Sequence, residues 1–142
     1  MSRLTLKQAN IIIEKTLEKA REDKIRPLAV VVLDDSGNIV SAQREDGASM
    51  FRVDIGLGKA WGAVAMSCSS RSLGKRAKDN PGFFMSLATA AKGKFLPQPG
   101  AVLIRDAKDA ILGAVGASGG TGPEDEACCA YGVEQAGLKA EI

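Results

Sequence analysis

The chain contains no histidine. That absence excludes a Ser-His-Asp triad, an imidazole general base and a histidine-ligated metal within the chain. Aromatic residues are scarce, at 4% of 142 residues, whereas glycine reaches 16. Small and aliphatic side chains must therefore do most of the packing, which favours close backbone approach and large subunit contacts. Cysteine is limited to three residues, an odd number that argues against a disulfide framework and fits a reducing compartment. Cys128 and Cys129 are adjacent and nothing nearby completes a zinc-ligand spacing, so no metal site is expected. No run approaches the ~20 apolar residues that span a bilayer, and "MSRLTLKQAN" lacks the apolar core of a signal peptide. The net charge of +2 is too small to mark a nucleic-acid binder. The one basic cluster, "RSLGKRAK", spreads Arg71, Lys75, Arg76 and Lys78 over about two helical turns and reads as a solvated face. It has no interleaved aromatics for base stacking. These absences predict a soluble, cytoplasmic protein with neither nucleic-acid nor membrane partners.

What is present predicts a single domain over residues 1–142, long enough to bury roughly 68% of its unfolded surface. Thr5 and Gln8 fit a capping box. Ala9, Ile12, Ile13, Thr16, Leu17 and Ala20 then repeat at threes and fours, which predicts a helix from Leu6 to Asp23. "LAVVVLDDSGNIVSAQR" reads as a hairpin, with strands at Leu28–Leu33 and Ile39–Gln43. The continuous apolar run of the first strand predicts burial on both faces. Val53, Leu57, Trp61, Val64 and Cys68 mark a second helix. Its glycines each cost ~1 kcal/mol relative to alanine, and close packing against another backbone would account for them. A helical stretch follows from Ser72 to Lys78, stopped by Asn80-Pro81. The segment 82–96 reads either as a short helix or as a pocket-lining loop. A second hairpin takes Ala101–Arg105 and Ala110–Ala117. The last helix starts near Pro123 and ends near Ala136, where Gly137 can supply a left-handed cap. This order predicts a mixed, largely antiparallel sheet with helices packed on it.

The stretches "AVVVLDDSGNIVSAQREDGA", "KAWGAVA", "LPQPGAVLI" and "ILGAVGASGGTGPEDEACC" together resemble the GlcG/HbpS family. They keep the family's order and cover most of the chain. The resemblance implies an α/β (α+β), profilin-like fold: a five-stranded, mostly antiparallel sheet flanked by helices on both faces. It also implies assembly into homo-oligomers, from tetramer to octamer, and haem as a cofactor in some members. Without histidine, haem iron would need another ligand, drawn from Cys128, Tyr131, Met50 or Met66. Thr121, near the glycine loop, is the candidate that the family suggests.

The residues themselves mark a small-molecule site with more than one reading. Arg44 can grip a carboxylate while Asp46 accepts a hydrogen bond or proton; the alternative is a loop ion pair with Gly47 at positive φ. Lys59, among small residues, could act as a base or Schiff-base former if desolvated. Its alternative is a salt bridge to Asp54, or to Asp46 of a neighbouring subunit. Arg52 lies seven residues earlier on nearly the same helical face, so the two cations could receive an acidic ligand together. Ser118, Gly119, Gly120 and Thr121 form a glycine loop ahead of a helix, whose N–H groups can face an anion. Glu124, Asp125 and Glu126 already supply negative charge there. A single carboxylate, a neutral group or a cation is thus expected rather than a nucleotide, and no Lys-Ser/Thr pair completes a P-loop. Asp125 or Glu126 could serve as general acid or base if part-buried, or both are exposed capping acids. Three functions follow: a small-molecule binding or sensing protein, haem or another tetrapyrrole included; a small isomerase or lyase moving a proton on a carboxylate metabolite through Lys59, Asp46 or Asp125; or an oligomeric structural or interaction protein.

Overall fold

The structure, a computed structural model, describes residues 3–142. Ten elements follow in order: α1 (Leu6–Glu22), β1 (Ala29–Asp34), β2 (Ile39–Arg44), α2 (Phe51–Met66), α3 (Ser70–Asp79), α4 (Pro81–Ala90), β3 (Ala101–Arg105), β4 (Ile111–Ser118), α5 (Gly122–Gln135) and β5 (Lys139–Glu141). The fold is α+β: the five strands form one sheet in the order β2-β1-β4-β3-β5, and every pairing is antiparallel. The sheet is therefore antiparallel throughout rather than mixed. Local signals set the first helix as expected: Thr5 Oγ1 accepts from Gln8 N at 3.0 Å and Gln8 Oε1 from Thr5 N at 3.0 Å.

Alternation along the strands divides the core into two layers. Val30, Val32, Val102, Ile104 and Val115 face α1 and α5, whose Ile12, Ile13, Cys129 and Val133 close that side. Val31, Leu33, Leu103 and Ala114 face Ala60 and Ala63 of α2 on the other. β1 is buried on both faces, as its uninterrupted apolar run requires. The segment after Asn80 is the short helix rather than the loop. Pro81 opens α4 at a position where its missing N–H costs nothing. Phe84 of α4 then joins Leu73 and Phe95 in a third cluster beside Trp61. β5 carries no strand signal of its own in three residues; it forms by pairing with β3.

The glycines of α2 serve packing within the chain. A Cβ on Gly116 of β4 would collide with the Gly56 carbonyl of α2, and one on Gly62 would press against the Phe95 ring. The helix thus lies directly on the strand backbone, close enough for its side chains to pass the end of the sheet.

Candidate functional site

The site forms at the end of the sheet where β1 and β3 begin and β2 and β4 finish. Register brings Arg44, Ala29 and Ser118 into one cross-strand row, on the face covered by α2. Arg52, in the first turn of α2, reaches down to this row and donates from Nη1 to Ser118 Oγ at 3.3 Å. Two helical turns later, Lys59 Nζ donates to the Ala117 carbonyl at 3.0 Å and to Asp125 Oδ2 at 3.3 Å. The two cations thus meet consecutive residues of β4, Ser118 and Ala117. Within the chain the partner of Lys59 is Asp125, from the far layer, and not Asp54.

Both members of that pair are buried, Lys59 at 6% and Asp125 at 1% exposure. The Lys59 side chain passes over Gly100, where any Cβ would meet its Nζ and Cδ. Gly100 therefore belongs to the site, although its sequence context, Pro-Gly, signals only a turn. Burial pushes the Asp125 carboxyl up from its ordinary value; the Lys59 charge and the hydrogen bond from Gly120 oppose that rise. Glu126 is also buried, at 2%, so neither acid is an exposed cap. Its carboxylate accepts from Arg71 Nε at 3.2 Å and also from Nη2, joining α3 to α5 beside the Lys59 pair.

The glycine loop holds its own acids. Asp125 Oδ1 accepts from Gly120 N at 2.9 Å, and Glu124 Oε1 from Thr121 N at 2.8 Å. Thr121 Oγ1 in turn accepts from Glu124 N at 3.2 Å, completing a second capping box. Gly119 is fixed by contact, since a Cβ there would strike the Pro27 carbonyl. The Gly120 and Thr121 N–H groups are therefore engaged by side chains of the same helix, which accounts for two of the three acids after the glycine loop; the third, Glu126, pairs with Arg71.

Arg44 and Asp46 stand apart from Lys59. Both are exposed and line a surface groove with Arg21, Gln43 and Glu45, while Arg44 Nη1 donates to Ala48 O at 2.6 Å, closing its own loop. Glu45 anchors that loop: it accepts from Leu28 N at 2.8 Å and pairs with Arg21 at 2.9 Å. Gly47 takes φ +86°, as its turn reading predicts.

The candidate iron donors do not gather at one point. Met50 is 86% exposed before α2, and Met66 ends the same helix against the Leu73–Phe95 cluster, ~24 Å along it. Thr121 is occupied as a cap, and Tyr131 lies under Lys19 Nζ at 5.7 Å. Cys128 is buried against α1, where desolvation, aided by Asp23 and Asp125, pushes its thiol up to about 11. Burial also pushes the fully buried Cys129 thiol well above its ordinary value. Among the described residues no group of three His, Cys, Asp or Glu could hold a metal ion. A thiol titration with a disulfide reagent at pH 8 should show one reactive group, half-buried Cys68, in the native protein and all three in denaturant. Fast native reaction that survives Cys68→Ser would contradict this ordering.

The chain matches the protein family described as haem degrading protein HbpS-like over residues 4–134. No curated protein matches its sequence. Among solved structures it is similar to PduOC in a complex with heme, with a TM-score of 0.87 over 99% of this chain and 100% of that one at 20% identity, a likeness of fold. It is similar also to Klebsiella pneumoniae protein ORFY, at 25% identity and TM-score 0.85 over 96% and 93% of the two chains. A double mutant of Streptomyces reticuli HbpS is 27% identical, with a TM-score of 0.81 over 94% of this chain and 87% of that one. No helix among the described residues is long and apolar enough to cross a membrane.

Proposed function

The chain belongs to the HbpS-like family, and from that premise we propose that it binds a carboxylate-bearing small molecule at the sheet end held by Arg52, Lys59 and Ser118. A tetrapyrrole falls within this class through its propionates. The observation that carries the reading is Arg52: a half-buried guanidinium whose one protein partner among the described residues is the Ser118 hydroxyl. A guanidinium presents five donors in a fork that suits a carboxylate, and a single neutral hydroxyl leaves most of that capacity open. Arg44, in the same cross-strand row, gives a second cation for a ligand with two acid groups. Homo-oligomer assembly is part of the same proposal, supported by Met50 and Phe51, 86% and 64% exposed at the start of α2.

The test is a pair of absorbance titrations, with hemin and with iron-free protoporphyrin. If carboxylates hold the ligand, both bind within a few-fold of each other, and Arg52→Ala weakens both by ~10–100-fold, as loss of a charged hydrogen bond of about 1.5–3 kcal/mol requires. Hemin binding that is far tighter than protoporphyrin binding and indifferent to Arg52→Ala would replace this reading with iron ligation. No saturable response to either would leave small carboxylates as the ligands.

The Lys59–Asp125 pair favours a second reading, proton transfer on a bound carboxylate metabolite. A buried carboxyl that desolvation pushes up from its ordinary value, 3.3 Å from an ammonium, is placed as a general acid or base would be. Asp125 fills that role better than exposed Asp46. Exchange of a ligand's α-proton in deuterated water, abolished by Asp125→Asn with ligand binding retained, would support it.

A further inference from the structure

The basic cluster of α3 does more than solvate a helix face. Arg71, Gly74, Lys75 and Lys78 recur at spacings of three, four and seven, and all four line one groove of about 500 Å³, closed on the other side by Gln98 and Pro99. The fourth basic residue, Arg76, turns away to the Phe84 ring, 5.6 Å from its centroid. No acidic side chain lines the groove. Asp79, one turn beyond Lys75, makes no ion pair with it among the described residues. Lys75 and Lys78, three apart on the helix, repel each other, and neither has an acidic partner among the described residues. Arg71 is held in place from beneath: Glu126, buried and bonded through both oxygens to its Nε and Nη2, fixes the plane of the guanidinium. Gly74 lets the α3 backbone come within reach of the 97–99 segment, where its Cβ would lie 3.3 Å from the Pro97 carbonyl.

We infer that this groove is a separate binding site for a small phosphate-bearing metabolite of the diphosphate class. Its size matches ordinary small-ligand pockets. Three cations against one acid already bonded to Arg71 leave the groove with an excess of two positive charges. A diphosphate, with negative charge on two phosphoryl groups, presents several acceptor oxygens at once to Arg71, Lys75 and Lys78, whereas a monocarboxylate presents one charge on two oxygens. Gln98 adds an uncharged donor opposite the helix. The site differs from the sheet-end site in residues and in charge, so it stands whether or not carboxylates bind at Arg52.

The experiment is an isothermal titration of the full chain with inorganic pyrophosphate, and with an organic diphosphate, at low and physiological salt. A double variant, Lys75→Glu with Lys78→Glu, changes only exposed side chains; its far-UV spectrum and melting curve check that the fold survives. Lys7→Glu, a single exposed reversal on α1, controls for a charge reversal away from the groove. Saturable binding is expected, weakened at least tenfold by the double variant and unchanged by Lys7→Glu. Arg71→Lys, which keeps the charge and loses the fixed fork, should weaken it several-fold. No saturable binding, or equal weakening by Lys7→Glu and the double variant, overturns the assignment. So does citrate binding as tightly as pyrophosphate, because the groove would then select charge and not phosphate.

Discussion

Lys59→Met should lower the folding free energy by about 3–5 kcal/mol, measured by urea denaturation. Methionine keeps most of the side-chain volume, so the loss comes from Asp125, left buried without its counter-charge. Lys59 also ties three layers together: it starts on α2, caps the end of β4 at Ala117 O and ends on Asp125 of α5. Combining Lys59→Met with Asp125→Asn should recover at least half of the loss. Both charges are then gone, and the amide oxygen can still accept from Gly120 N, as Asp125 Oδ1 does at 2.9 Å. The double variant separates support of the fold from binding. It should be folded and should bind carboxylate ligands at least ~10-fold more weakly than the native chain, the equivalent of about 1.4 kcal/mol. A single variant as stable as the native protein would mean that the buried pair contributes little.

The second large effect is expected at Gly116. A side-chain methyl there points into the Gly56 carbonyl and the Ala60 backbone, and backbone atoms in a helix cannot swing aside as a flexible side chain can. Gly116→Ala should cost about 1–3 kcal/mol, as forced overpacking does, and Gly116→Val more. The displaced element is α2, so Arg52 and Lys59 move with it, and ligand affinity should fall together with stability. Gly82→Ala is the counterpart. It lies in the first turn of α4, where a Cβ meets nothing within 4 Å, and the change should be neutral or stabilising by up to ~1 kcal/mol. Equal melting curves for Gly116→Ala and the native chain would show that α2 does not lie on the strand as closely as this geometry requires.

Much of the fold is legible in the sequence because its signals are local. The Thr5–Gln8 box, the threes and fours of α1, the Asp-Ser-Gly turn between β1 and β2, and Pro123 in the first turn of α5 each depend on a few neighbouring residues. Helix and strand bounds accordingly fall within a few residues of those expected. The weak places are those without a local signal. β5 exists because Leu103, Ile104 and Arg105 offer it an edge. α4 is stabilised by Phe84 packing against Phe95, with ring centroids 5.8 Å apart, and that contact spans a loop.

The site divides along the same line. The residue types and the seven-residue spacing of Arg52 and Lys59 place two cations on one helical face, and the missing histidine removes imidazole chemistry; the sequence alone determines these. Which acid Lys59 meets, and that Asp125 and Glu126 are buried, depends on α5 packing against the opposite side of the sheet. That the loop N–H groups turn to Asp125 and Glu124 depends on how the start of α5 closes back on the glycines. That Arg71, Lys75 and Lys78 share a groove with Gln98 depends on Gly74 admitting the 97–99 segment. Spacing fixes direction within one helix or strand, but distance between elements comes from side-chain volume and backbone clearance summed over the whole core, and only the folded structure carries that sum.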